Sequence, residues 1–120
     1  MEERPELACI EATLQLMTKK EGGRQSAITT GYRGGLLVFP EWYDTWRDTG
    51  EHRCLGAVLR LCDASELQPG QSAVVRFYPW AEGALEMAAM SPGVPFRLHE
   101  GHRLVATGTV RRTLRVPRPE

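Results

Sequence analysis

The sequence predicts an all-β domain, an antiparallel barrel or sandwich. Short apolar segments with period-2 alternation recur along the chain, and Gly and Pro punctuate the gaps between them. No stretch combines the length and the periodicity of a long helix. At 120 residues the chain is one domain, long enough to bury a core and too short for two. Its hydrophobic content of 42% and charged content of 25% are ordinary for a folded protein.

The elements follow in order. A polar lead closes at Pro5, and a first strand runs from about Leu7 to Thr18. Ile10, Ala12, Leu14 and Leu16 share one of its faces, with Cys9, Glu11, Thr13, Gln15 and Met17 on the other. A polar connection follows, carrying Glu21-Gly22-Gly23-Arg24 and Gly31-Tyr32-Arg33, whose glycines permit the positive φ that other side chains resist. Leu36 to Phe39 is a continuously apolar strand, stopped by Pro40. Glu41 to Arg53 is polar and aromatic at once. Cys54 to Cys62 resumes alternation, with Leu55, Ala57, Leu59 and Leu61 on one face. After a turn region containing Pro69-Gly70, Ser72 to Tyr78 is the next strand. Residues 81–93 include ALEMAAM, which favours helix but is too short to stand alone. Phe96 to Val116 is a hairpin turning at Glu100-Gly101-His102, its last strand placing Leu104, Ala106, Gly108 and Val110 on one face. That makes six strands.

Fifteen basic residues balance fifteen acidic ones. A dedicated nucleic-acid binder usually shows a basic excess, because phosphate neutralisation dominates its affinity. The cysteines Cys9, Cys54 and Cys62 are odd in number, lack a C-x-x-C spacing and fall in predicted strands, so they read as small buried hydrophobes. MEERPEL has no apolar signal core and no run approaches a membrane span, which points to the cytoplasm. Gly22-Gly23-Arg24 is not the G-x-x-x-x-G-K-[ST] phosphate cradle, so no GTP chemistry is expected. His52, His99 and His102 have no Cys or acidic cluster to complete a metal site. Ser26, Ser65, Ser72 and Ser91 lack an elbow motif, and Glu82 with Glu86 reads as a solvated face. The expectation is a protein without cofactor or metal that is not an enzyme.

The run CIEATLQLMTKKEGGRQSAITTGYR resembles the opening of the third, C-terminal domain of elongation factor Tu. LQPGQSAVVRFYP looks like that family's turn from a Pro-Gly pair into a long strand. FRLHEGHRLVATGTV resembles its closing hairpin, so the likeness runs from about Ile10 to Leu114. The resemblance implies a closed six-stranded antiparallel barrel, and closure removes exposed edges. It also implies that the nucleotide chemistry belongs to a separate domain not found in this sequence.

The family domain helps to hold the T stem of aminoacyl-tRNA, and its contact positions compare residue by residue. Arg24 and Glu100 are retained. Gln25 stands where the family has a basic or imidazole side chain, Gly35 where it has glutamine, Leu55 where it has threonine and Tyr78 where it has lysine. RNA binding is therefore expected to be weak and mainly electrostatic. Tyr32 and Arg33 keep the family's Gly-Tyr-Arg, and read as a lid and tether at the barrel end or as a contact surface. Arg111, Arg112, Arg115 and Arg118 form a mild basic cluster, with 115–120 read as a frayed tail.

Residues 41–53 depart most from the family, which links these strands by a shorter connection. Trp42, Tyr43 and Trp46 lie within five residues, either packed on the barrel rim or presented to a partner. The leading reading is a non-catalytic protein-binding or regulatory module with Trp42, Tyr43, Trp46 and Arg33 as contacts. The alternative is a tRNA-type RNA-binding module using Arg24, Glu100, Arg111 and Arg112.

Overall fold

A computed structural model describes residues 6–33, 35–40, 55–79, 91–101 and 103–117. Among these residues eight strands succeed one another: β1 (Glu6–Leu16), β2 (Ile28–Thr29), β3 (Leu36–Val38), β4 (Leu55–Leu61), β5 (Glu66–Leu67), β6 (Ser72–Pro79), β7 (Pro95–Glu100) and β8 (Arg103–Pro117). Six of them close an antiparallel barrel in the order β1-β6-β4-β3-β7-β8, and β2 with β5 forms a small separate ladder. Closure follows from β1 pairing with both β6 and β8, so neither of its edges is open. No helix among the described residues is long and apolar enough to cross a membrane.

The alternation of β1 sets the core. Ile10, Ala12, Leu14 and Leu16 point inward and are at most 1% exposed, beside Leu59, Val75, Phe77 and Leu98 from the neighbouring strands. Three phenylalanines fill the interior. The Phe96 ring stands edge-on to Phe77 at 5.7 Å and tilted to Phe39 at 5.9 Å, the offset geometries that the ring quadrupole favours. Gly108 opposite Phe96 makes this packing feasible, because a Cβ there would lie 2.3 Å from the ring.

β3 explains its unbroken apolar run. Leu37 and Phe39 belong to the core, while Val38 is buried on the outer side of the sheet. A strand covered on both faces has no polar side to show.

Several details differ from the sequence reading. Leu104 was expected inward, but Val105 is fully buried and Leu104 only half-buried. The register shifts at Leu98/His99, where two partners are separated by the extra residue Val105, so the alternation slips. Cys62 follows the end of β4 and is exposed, unlike the buried Cys9. Residues 115–117, read as the start of a frayed tail, lie in β8 opposite the beginning of β1. The ladder between β2 and β5 was not foreseen; two-residue strands carry no periodicity to read.

Candidate functional site

The Glu-Gly-Gly-Arg turn delivers Arg24 to one end of the barrel. Thr18 donates from its backbone N and its Oγ1 to Glu21 Oε1, both at 2.9 Å, and Glu21 N donates back to Thr18 Oγ1 at 3.1 Å. These bonds, the one from the Thr18 backbone foremost, hold the Glu21 carboxyl below its ordinary value. Gly22 has φ +93°, and Gly23 passes so close that a Cβ would lie 2.5 Å from the Met17 carbonyl oxygen. Each residue of the turn thus has a separate reason for its identity.

Beyond the turn, Arg24 donates from Nη1 to Glu100 Oε2, linking the first turn to the end of β7. Its Nε and Nη2 donate to the Ser26 carbonyl and hydroxyl at 3.2 and 3.1 Å. The guanidinium carbon lies 5.0 Å from the centre of the Tyr32 ring, within cation–π range. Tyr32 in turn donates its phenol to the same Glu100 oxygen. The backbone of Tyr32 bridges to Leu59 of β4, with Leu59 N donating to Tyr32 O at 2.9 Å. Its ring is half-buried against the core, and that burial pushes the phenol pKa up, opposed by the nearby Arg24 charge. Gly35 completes the setting. A Cβ there would lie 2.5 Å from Leu98 Cδ1 and 3.0 Å from Tyr32 Cε1. A larger side chain at that position would force Leu98 to shift and press on the Tyr32 ring.

Arg24 and Glu100, two of the predicted RNA contacts, are thus brought together, but they spend their charges on each other. Arg33 is exposed next to Tyr32. Trp42, Tyr43 and Trp46, with the whole of 41–53, lie outside the described residues, as do His52 and His102. Among the described residues no group of three or more His, Cys, Asp or Glu is arranged to hold a metal ion.

The remaining pair, Arg111 and Arg112, meets a second constellation on the barrel wall. Glu11 faces outward from β1 yet is only 6% exposed. Arg112 donates from Nε to Glu11 Oε2 at 2.9 Å and from Nη2 to Oε1 at 3.3 Å. Arg76 donates to Oε1 from Nε and Nη2, both at 3.4 Å, and Arg111 Nε stands 3.9 Å from Oε2. The hydrogen bond from Arg112 is the largest cause holding the Glu11 carboxyl below its ordinary value, with burial opposing it. A hydrogen bond with the Tyr78 phenol is the largest cause raising the Arg76 guanidinium above its ordinary value, with burial opposing it.

Glu11 and Arg76 were missed as functional candidates. Their strand faces were legible, but their pairing depends on the register between β1 and β6, which sequence alternation leaves open. The chain matches no protein-family model, and no curated protein matches it.

Proposed function

We propose that the chain is a non-catalytic protein-binding or regulatory module, built on a barrel derived from the third domain of elongation factor Tu. The observation that carries the choice of protein over RNA is the mutual pairing of Arg24 and Glu100 beneath Tyr32. The retained cation of the family's RNA contact set is engaged in fastening the barrel end, and the charge of Glu100 is neutralised by it. Gly35 and Tyr78 add no replacement: the first has no side chain, and the second is buried. Arg33 is exposed, and Trp42, Tyr43 and Trp46 are of the residue types that dominate protein interfaces, so these four are the proposed contacts.

The test is capture from cell extract on the immobilised full chain, with and without nuclease. Protein recovered equally in both arms supports the reading. Recovery that disappears with nuclease, or RNA retained through Arg24 at physiological salt, overturns it in favour of the RNA module.

A further inference from the structure

Cross-strand registers on the barrel wall place three arginines in one row with Glu11. Arg60 of β4 lies opposite Arg76 of β6, Arg76 opposite Glu11 of β1, and Glu11 opposite Arg112 of β8. Residues directly opposite one another project from the same face. The register shift at Glu11/Ala12 adds Arg111, whose Nε reaches the same carboxylate as Arg112. A bulge that aims two consecutive side chains outward accounts for this. The row crosses three interstrand spacings of about 4.8 Å, a span of about 14 Å.

One carboxylate serves this row. Among the described residues Glu11 is shared by Arg76, Arg111 and Arg112, and the next acids along the chain after β4 are Asp63 and Glu66, past the end of the strand. Arg60 and Arg76 face each other as like charges, an arrangement that costs stability in a sheet. Folding alone gives no reason to keep Arg60 there. The outer guanidiniums are also accessible: the side chains of Arg111 and Arg112 are 51% and 58% exposed, and Arg60 is exposed.

The flank of the row indicates what it meets. The adjoining outward positions are Val58 opposite Tyr78 and Cys9 opposite Leu114; Tyr78 and Cys9 are buried, and Val58 and Leu114 are half-buried. The groups this wall leaves accessible are therefore the guanidiniums, whose complement is a cluster of carboxylates. A nucleic acid is a poorer fit, because its affinity grows with phosphates neutralised, roughly 6–10 in a firm complex. Among the described residues this wall offers four cations with one countercharge already in place. Glu11 also shows how a carboxylate is received here, in forked hydrogen bonds from Arg112 and Arg76.

We propose that the outer wall of β4, β6, β1 and β8 docks a carboxylate-rich surface of a protein partner, with Arg60, Arg111 and Arg112 as its contacts. The inference rests on reading the chain as a protein-binding module and names the chemistry of the partner. The probe is a fluorescent deca-glutamate peptide titrated with the full chain at about 50 mM salt, followed by anisotropy. Saturable binding is expected, weakened at least tenfold by Arg60→Gln with Arg111→Gln and less than twofold by Lys19→Gln with Lys20→Gln. Both arginines are exposed, so the double variant should retain its circular dichroism spectrum and melting midpoint.

No saturable binding, or an equal loss in the lysine control, overturns the proposal. Tighter binding of a duplex RNA of about 16 base pairs with the same arginine dependence also overturns it. Self-association that the arginine changes abolish would assign the wall to a second copy and overturn it too. In the extract capture, a nuclease-resistant partner retained undiminished by the double arginine variant sinks this inference and leaves the protein-binding reading standing. Absence of any nuclease-resistant partner sinks that reading itself.

Discussion

Arg24 and Glu100, 76 residues apart in sequence, share a hydrogen bond that ties the turn after β1 to the end of β7. Their side chains are 19% and 26% exposed, so the pair is partly shielded from solvent screening. Arg24 also stacks on Tyr32 and bonds to Ser26, whereas Glu100 accepts from Arg24 and Tyr32. The barrel end is held by a three-residue contact of cation, ring and carboxylate.

A double-mutant cycle on Arg24→Ala and Glu100→Ala should give a coupling of about 1 kcal/mol in chemical denaturation. Tyr32→Phe should cost about 1.5–3 kcal/mol through loss of one hydrogen bond to a charged acceptor. The coupling should shrink but persist in high salt, because the pair is only partly exposed. A coupling indistinguishable from zero would mean that the contact contributes nothing to the fold.

Two glycines are predicted to resist enlargement. Gly108→Ala would drive a methyl into the Phe96 ring, which is 2% exposed and already packed against Phe39 and Phe77. Overpacking of this kind costs about 1–3 kcal/mol, measured as a drop in the denaturation midpoint. Gly35→Gln should be destabilising as well, by displacing Leu98 and Tyr32. It should not restore RNA binding, since Arg24 remains engaged with Glu100.

The six barrel strands were legible because each buries one face, or two in the case of β3, and burial imposes a pattern on the residues. Ile10 to Leu16 and Ala57 to Leu61 are plain instances, although the charged row on their outer faces was not visible. Alternation fixes which face a residue occupies, yet which residue stands beside it depends on register and bulges. Glu11 therefore read as one polar position among several, and only the pairings with Arg76 and Arg112 reveal a shared carboxylate. The slip at Val105 was hidden for the same reason. At the barrel end, Arg24, Tyr32 and Glu100 were singled out through the family resemblance, but their mutual bonding is a property of the closed fold.

The aromatic segment gives a prediction independent of the arginine wall. Two tryptophans and a tyrosine within five residues are costly to leave in water, so the barrel or a partner should cover them. If a partner does so, Trp42→Ala with Trp46→Ala should abolish nuclease-resistant capture while leaving the denaturation midpoint nearly unchanged. If the rim does so, the same double change should cost roughly 3–5 kcal/mol per fully buried ring. A large stability loss with capture intact would end the interface role of this segment.

Glu11 is predicted to make stability depend on pH in the acid range. Its carboxyl is held below the ordinary value of 4.5 in the folded chain, chiefly by the hydrogen bond from Arg112, while the unfolded chain titrates near that value. The folded state therefore favours the ionised form. Its contribution is fully present above about 4.5 and is lost as pH falls through the folded pKa. Glu11→Gln removes this dependence and leaves three guanidiniums without their countercharge. At pH 7 the variant should be less stable by about 1.5–3 kcal/mol, the range for hydrogen bonds to a charged group. Denaturation of both proteins across the acid range should show the gap closing as pH drops, because protonated Glu11 and glutamine are both neutral. Glu21, whose carboxyl is also held low, contributes to both proteins alike and cancels from the difference. A gap that stays constant down to the acid limit would mean that the ionisation of Glu11 is not what the arginines on this wall stabilise.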